Sequence, residues 1–524
     1  MSPLQKKRAT FTPTIPELLK DLASLVPNDE EKTTAKANQD QIQKLFPHTY
    51  SRPFLTFKKG SSSFAPKTVG VVFSGGQASG GHNVITGLFD ALMKMHPESK
   101  LYGFLNGPSG ICDNKTIELT KEILAPYRNQ GGFDLIGSGR TKIETDQQLK
   151  DSLNTCNTLA LDGLVIIGGD DSNTNGAVLA EYFLENNCKT AVVGVPKTID
   201  GDLRNEYVEL SFGFDTATKV YSEMIGNIAR DALSAKKYFH FIKLMGRSAS
   251  HIALECALKT QPNFTLIGEE VLEKKKTLTD ITNELVDMIT LRYENGKNYG
   301  LVLVPEGLIE FIPEVKILIQ ELNNFLSGKD NPSKEEVKKA LSTEALSCFE
   351  ELPEKIQDQL LLTRDPHGNV TVSQIETEYL LVELVSQRLK GIPFNPIRHF
   401  FGYEGRCSMP SNFDTNYCYN LGRLGALLIQ HEKTGYMCCL SGLKDSPEFW
   451  EGKALPITML MHIEERHGQP KPVIEKALVD LSSETFTHLV SKRQEWGLED
   501  HYQFPGPIQY FGESEITDSV PLTL

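Results

Sequence analysis

Lys197, Thr198, Asp200 and Asp202 close the stretch VVGVPKTIDGD, directly after a run of apolar residues. A lysine placed there can put a cation on a phosphate. Asp200 can accept a proton from a substrate hydroxyl, and Asp202 can orient a donor or a metal-bound water. A solvated turn with an internal Lys–Asp pair would also account for them, at little energetic gain. The same pattern of apolar run and polar cluster recurs along the chain. SGGQASGGHN (74–83) carries four glycines where backbone can approach a phosphate, though tight turns without ligand use the same composition. It matches neither GxGxxG nor GxxxxGK[ST]. In GGDDSNTNG (168–176), Gly168 and Gly169 precede the adjacent acids Asp170 and Asp171. Hard oxygen ligands beside a phosphate suit Mg²⁺, which takes one or two carboxylates and completes its shell with phosphate and water. A helix N-cap at Asp171 or Ser172 explains one acid, and less comfortably two. KLMGRSASH, VPEG and HFFGYEGR supply Arg247, Glu306, Tyr403 and Arg406. Arginine grips phosphate through paired bonds, and glutamate accepts from sugar hydroxyls. Met245 reads as packing and His251 as a helix-face residue. Together the clusters describe phosphate at both ends of a polyol.

Side chains spread this far apart need a scaffold that gathers them. Short apolar runs at TVGVVFSG, KLYGFLNG, LDGLVIIGG, TAVVGVP, YFHFIKLMG, FTLIGEE and NYGLVLVPEG alternate with stretches of helical length and period. That alternation predicts parallel sheets covered on both faces. Ligands of such sheets bind beyond the carboxyl ends of the strands, where these polar clusters fall. Residues 1–66 read as an N-terminal extension tied onto a domain, with a short helix near 15–25. Residues 310–390 read as a helical insertion: Pro313 opens a helix with Val315, Leu318, Ile319 and Leu322 on one face. Ser333 with Glu336, and Ser373 with Glu376, have capping-box spacing.

With 524 residues the chain is long enough for two or more cores. Its net charge of −14 opposes nucleic-acid binding, which needs clustered cations, and permits a small anionic substrate. No apolar run approaches the roughly 20 residues needed to cross a bilayer, and no signal-peptide core interrupts the N-terminus. Nine cysteines without a CxxC pair fit reduced thiols in a cytoplasmic protein, with adjacent Cys438 and Cys439 as core packing.

SGGQASGGHN, GGDDS, PKTIDGD, MGRSASH and PEG, in that order on an α/β chain, resemble the phosphofructokinases. The likeness covers roughly residues 68–310 and resumes around 398–422. Within that superfamily the chain is similar to the long pyrophosphate-dependent branch that includes the plant β subunit. The resemblance implies reversible phosphoryl transfer from Mg-pyrophosphate to the 1-hydroxyl of fructose 6-phosphate, giving fructose 1,6-bisphosphate and phosphate. It implies Asp200 as general base with Asp202 beside it, and Asp170 on Mg²⁺. Lys197 and Arg140 would offset charge on the phosphates. Gly75, Gly76, Gly169, Asp171 and Lys197 would bind the donor. Thr198, Met245, Gly246, Arg247, Glu306, Tyr403 and Arg406 would bind fructose 6-phosphate. It further implies two Rossmann-like three-layer domains facing across a cleft. The donor domain would span 67–213 and 405–470, and the sugar-phosphate domain 214–404 and 471–524. A homodimer or higher homo-oligomer is implied as well.

Donor choice also has a physical side. ATP-dependent relatives usually carry glycine at the positions of Asp171 and Lys197. A carboxylate at 171 puts bulk and charge where an α-phosphate would lie, and a lysine at 197 adds a cation for a donor that offers only charge and oxygen. Ser79 departs from the pattern, standing where the family usually has proline. An ATP-dependent phosphofructokinase and a non-catalytic regulatory subunit are the competing readings.

Overall fold

The structure, a computed structural model, describes residues 1–326, 333–362, 370–466 and 469–507. By internal packing the chain divides into two units. The first comprises Met1–Ala217 and Glu404–Ala477, and the second runs from Thr218 to Tyr403 and resumes at Leu478. The N-terminal 66 residues therefore belong to the first unit.

In chain order, the first unit contributes β1 (Leu25–Lys32), β2 (Pro53–Lys59), β3 (Thr68–Phe73), β4 (Lys100–Phe104), β5 (Thr116–Glu118), β6 (Gly163–Gly168) and β7 (Ala191–Pro196). The second holds β8 (Phe239–Leu244), β9 (Phe264–Thr265), β10 (Gly300–Pro305) and β11 (Pro396–Phe401). Returning to the first, the chain adds β12 (Tyr436–Ser441), β13 (Glu451–Pro456), β14 (Met461–Arg466) and β15 (Gln469–Ile474). The first unit's main sheet has the order β1-β2-β13-β12-β7-β6-β3-β4-β5. Its centre, β12 through β4, is parallel, with antiparallel strands at both margins. The second unit's sheet, β11-β8-β10-β9, is parallel throughout. β6, β7, β8 and β10 are buried along their whole length. Apolar cover on both faces is what continuous Val/Ile/Leu runs require.

From β3 the chain moves to β4 on one side, then crosses to β6 on the other. The gap between β3 and β6 is thus a topological switch point, where open α/β sheets receive ligands. The glycine loop leaves β3 there, and GGDDS leaves β6. The helix after the glycine loop, Gly81–Met95, packs against the helix Asn412–Gln430. Its Gly87 lies under the Tyr419 carbonyl, and Gly422 under that of Val84, so close that a Cβ at either would collide with backbone. This approach fixes the segment before Asn412, which carries Arg406, relative to the glycine loop.

Some local expectations change. Residues 15–25 form two 3₁₀ turns, Glu17–Leu19 and Leu22–Ser24, rather than an α-helix. The buried Leu19, Leu22 and Leu25 recur every three residues, the period of the tighter helix. FTLIGEE supplies only the two residues of β9 before the helix Gly268–Glu273 begins, with Glu269 and Glu270 favourably placed in its first turn.

The insertion forms helices Pro313–Leu326, Lys334–Ala340, Thr343–Glu351, Glu354–Leu362 and Thr377–Arg388. Val315, Leu318, Ile319 and Leu322 are all buried, and the Ser333–Glu336 capping box forms. Glu376 stands at the N-cap of the helix Thr377–Arg388 without a side-chain cap bond. It pairs with Lys355 and Arg398, and the helix starts after it; the Ser373 side chain lies outside the described residues. The buried Lys243 of β8 donates to the Ile375 carbonyl at 3.0 Å, lies 3.5 Å from Glu378 and sits over the Phe400 ring. All nine cysteines are free thiols, with Cys438 and Cys439 buried in β12. Among the described residues no helix is long and apolar enough to cross a membrane.

Candidate active site

Ser74 follows β3, and the loop turns at Gly75, whose N–H donates to the Gly139 carbonyl at 2.8 Å. Ser138 donates its hydroxyl to the Gly75 carbonyl at 2.6 Å, and Ser172 bonds Ser74 at 2.8 Å. The glycine loop is thus laced to both the GSGR turn and the GGDDS helix. A Cβ on Gly76 would collide with the Arg406 guanidinium and lie 3.6 Å from that of Arg140; one on Gly75 would lie 3.3 Å from Lys197 Nζ. Gly75 has a φ of +85°, which favours glycine, and three cations close on the loop. Arg406 also donates to the Gln77 carbonyl at 3.3 Å. It was expected at the sugar phosphate, and the structure sets its guanidinium against Gly76 in the first unit.

Lys197 is buried at the end of β7, its N–H bonded to the Gly168 carbonyl at 2.9 Å. Burial pushes its ammonium down to about 7, and Arg406 and Arg140 push the same way against Asp200 and Asp170. A dianionic ligand would reverse that penalty, since an opposite charge favours the protonated form.

The TIDGD turn is built around Gly201, whose φ of +74° an L side chain rarely adopts. Thr198 accepts from the Asp200 N–H at 3.1 Å, and its carbonyl accepts from Ser211 at 3.0 Å. Asp200 and Asp202 are both buried. Burial, then Asp200, raises the Asp202 carboxyl to about 6, while Lys476 and Thr198 act downward. Asp170 opens the helix Asp170–Glu185 after Gly169, as its first residue rather than its cap. Asp171 follows, exposed, with Lys142 3.3 Å away. Asn173 bonds the Gly168 and Gly169 carbonyls at 2.7 and 2.9 Å, holding the end of β6.

Lys476 and Lys142 were not read as site residues. Lys142 could have been found two positions after Arg140. Lys476, at 3.7 Å from Asp170 and 3.8 Å from Asp202, follows β15 and stands 306 and 274 residues after these acids, with no motif around it.

In the second unit, the ends of β8 and β10 are tied together. Gly246 N–H donates to Glu306 at 3.2 Å, and Gly307 N–H to the Gly246 carbonyl at 3.2 Å. Met245 and Glu306 are buried, while Arg247 and Tyr403 are exposed. A residue the motifs did not flag supports this turn: Glu269 accepts from the Ser250 and Val479 N–H groups, each at 3.0 Å. His251 is the half-buried first residue of the helix His251–Thr260.

A family model described as Phosphofructokinase matches residues 68–358. The chain belongs to the phosphofructokinase family. It is 49% identical to a pyrophosphate–fructose 6-phosphate 1-phosphotransferase of Entamoeba histolytica, over 100% of this chain and 99% of that one. A protein of the same name from Treponema pallidum is 50% identical, over 100% and 96%. The β 2 subunit of the Arabidopsis thaliana enzyme is 50% identical, over 98% and 92%. The expected likeness to the long branch that includes plant β subunits is borne out. A solved pyrophosphate-dependent phosphofructokinase of Nitrosospira multiformis shares the phosphofructokinase fold, with a TM-score of 0.57 at 16% identity, covering 83% of this chain and 92% of that one.

Proposed function

We propose that this phosphofructokinase passes a phosphoryl group reversibly from Mg-pyrophosphate to the 1-hydroxyl of fructose 6-phosphate, yielding fructose 1,6-bisphosphate and phosphate. The observation that carries this reading is the buried Lys197 ammonium against Gly75, flanked by Arg140 and Arg406 at Gly76. Pyrophosphate has no nucleoside to hold, so its site must consist of cations and N–H groups. The near-50% identity with full-length pyrophosphate–fructose 6-phosphate 1-phosphotransferases supports the same assignment.

Asp200 accepts the proton of the attacking hydroxyl, and Asp202 stands beside it. Lys197, Arg140 and Arg406 offset charge on the transferring group, with Gly75, Gly76 and Gly169 leaving backbone open to it. Positioning and charge neutralisation carry such catalysis, and no covalent enzyme intermediate is required. Thr198, Met245, Gly246, Arg247, Glu306 and Tyr403 hold the sugar phosphate. By microscopic reversibility the same groups serve the reverse direction, in which phosphate takes the 1-phosphoryl group of fructose 1,6-bisphosphate and Asp200 returns the proton to the leaving hydroxyl.

The residues fit Mg²⁺. Asp170 is partly exposed, and among the described residues no three His, Cys, Asp or Glu side chains form a metal cage. One or two carboxylates suffice for a metal delivered on a phosphate ligand. Asp170 would hold it, and its charge would neutralise the phosphoryl oxygens. A cytoplasmic homo-oligomer belongs to the same reading, supported by the family likeness and the unpaired thiols. The test is the initial rate of fructose 1,6-bisphosphate formation by the purified chain, with pyrophosphate and with ATP. Preference for ATP sinks the donor assignment, and no turnover with either sinks the enzyme.

A further inference from the structure

Lys476 enters the acid cluster from a fixed point. The hairpin of β14 and β15 ends with the Glu475 N–H on the Leu460 carbonyl at 3.2 Å, and Ala477 N–H donates to the Asp202 carbonyl at 2.7 Å. Between these anchors the Lys476 ammonium stands 3.7 Å from Asp170 Oδ2 and 3.8 Å from Asp202 Oδ2. Both separations exceed a hydrogen bond, so the ammonium bridges the acids by charge. Asp170, Asp200 and Asp202 would otherwise oppose one another across a largely buried turn.

We propose that Lys476 is a positioning residue that competes with the divalent cation for Asp170: it holds the acids together in the metal-free site and weakens metal binding until a phosphate ligand brings the metal in. The inference rests on the reading of Asp170 as the metal-holding carboxylate. Two cations cannot share one carboxylate oxygen without repulsion, so a divalent ion at Asp170 must move the ammonium or tolerate it. A ligand carrying several negative charges offers the displaced ammonium a new partner. The device makes the metal arrive with the donor instead of occupying the acids beforehand.

The experiment is Mn²⁺ binding to the purified, substrate-free full chain, followed by the electron paramagnetic resonance signal of free Mn²⁺. Lys476→Met should tighten the Mn²⁺ dissociation constant about three- to tenfold, as expected for removing one partly exposed like charge. Lys476→Arg should stay near the parent value, and Asp170→Asn should lose the site. Lys476→Gln provides a second neutral variant should the methionine variant not fold. Unchanged or weaker Mn²⁺ binding in the folded neutral variant overturns the proposal, as does equal tightening in Lys476→Arg. Absence of Mn²⁺ binding in both the parent chain and the folded neutral variants overturns it too. A pyrophosphate assay on the parent chain separates the two readings: absence of turnover defeats the proposed function, and the Mn²⁺ comparison decides Lys476 independently.

Discussion

The Ser79 hydroxyl, fully buried, donates to the Ser408 carbonyl at 2.6 Å and lies 3.4 Å from that of Arg406. This bond ties the glycine loop to the segment that presents Arg406 to Gly76. A proline at this position would have no hydroxyl to make it. Arg8 braces the same segment through the Pro410 carbonyl at 2.7 Å.

Ser79→Ala should therefore loosen Arg406 without unfolding the chain. Leaving a buried carbonyl short of its donor costs about 1–3 kcal/mol. The expected kinetic sign is a KM for pyrophosphate raised about fivefold or more, with the KM for fructose 6-phosphate moving less. Steady-state kinetics with each substrate varied in turn distinguish this from a general loss of structure, which would lower kcat and leave both KM values alone.

Lys197 links donor binding to pH. Its ammonium is held down to about 7 against an ordinary 10.5, so above neutrality the ligand-free chain increasingly holds it uncharged. Pyrophosphate needs the charged form and must draw in a proton. Its affinity should fall as pH rises above about 7, and calorimetry in buffers of different ionisation enthalpy should show proton uptake. Stability of the ligand-free chain runs the other way, rising between about 7 and 10.5, because there the unfolded chain keeps the proton that the folded chain releases. Lys197→Met should remove both dependences, and Lys197→Gly should abolish pyrophosphate turnover while circular dichroism reports an intact fold.

Asp171 should govern which donor is admitted. It is exposed in the first turn of its helix and paired with Lys142 at 3.3 Å, a surface ion pair worth under about 1 kcal/mol. Stability should hardly change in Asp171→Gly. Combined with Lys197→Gly, it should shift the ratio of kcat/KM for ATP over pyrophosphate upward by at least tenfold, measured by the same coupled assay with both donors.

The parallel sheets and most of the candidate site were legible because each motif sits at the end of a continuous apolar run. β3, β6 and β7 announce themselves by composition, and the polar residues just beyond them are the ones the switch point gathers. Arg406 was legible as a site residue but not as a neighbour of Gly76, since 330 residues separate them and long-range packing such as Gly87 against Tyr419 and the Ser79–Ser408 bond sets the distance. β1 was missed because its LVPNDEEK sequence is that of a charged edge, which sheets use to discourage further pairing. Lys476 and Glu269 were illegible for a simpler reason. Their partners lie far off in the sequence, Asp170 for Lys476 and Val479 for Glu269, and nothing local marks either contact.

Asp200 and Asp202 differ in a way that substitution can separate. Both are buried, and burial with the neighbouring Asp200 holds the Asp202 carboxyl up, to about 6. If Asp200 takes the hydroxyl proton, Asp200→Asn should lower kcat by about 10²–10⁴-fold at every pH, the usual worth of a general base. Asp202→Asn should cost less at neutral pH, and its effect should show in the pH profile. In the parent chain, the rate should fall as pH drops through about 6, where Asp202 gains a proton and loses its charge. That acid limb should vanish in Asp202→Asn. A profile from pH 5 to 8 for all three proteins, with binding of fructose 6-phosphate checked by calorimetry, decides the assignment. An Asp202→Asn chain that loses more of its kcat than Asp200→Asn across the whole profile would exchange the two roles.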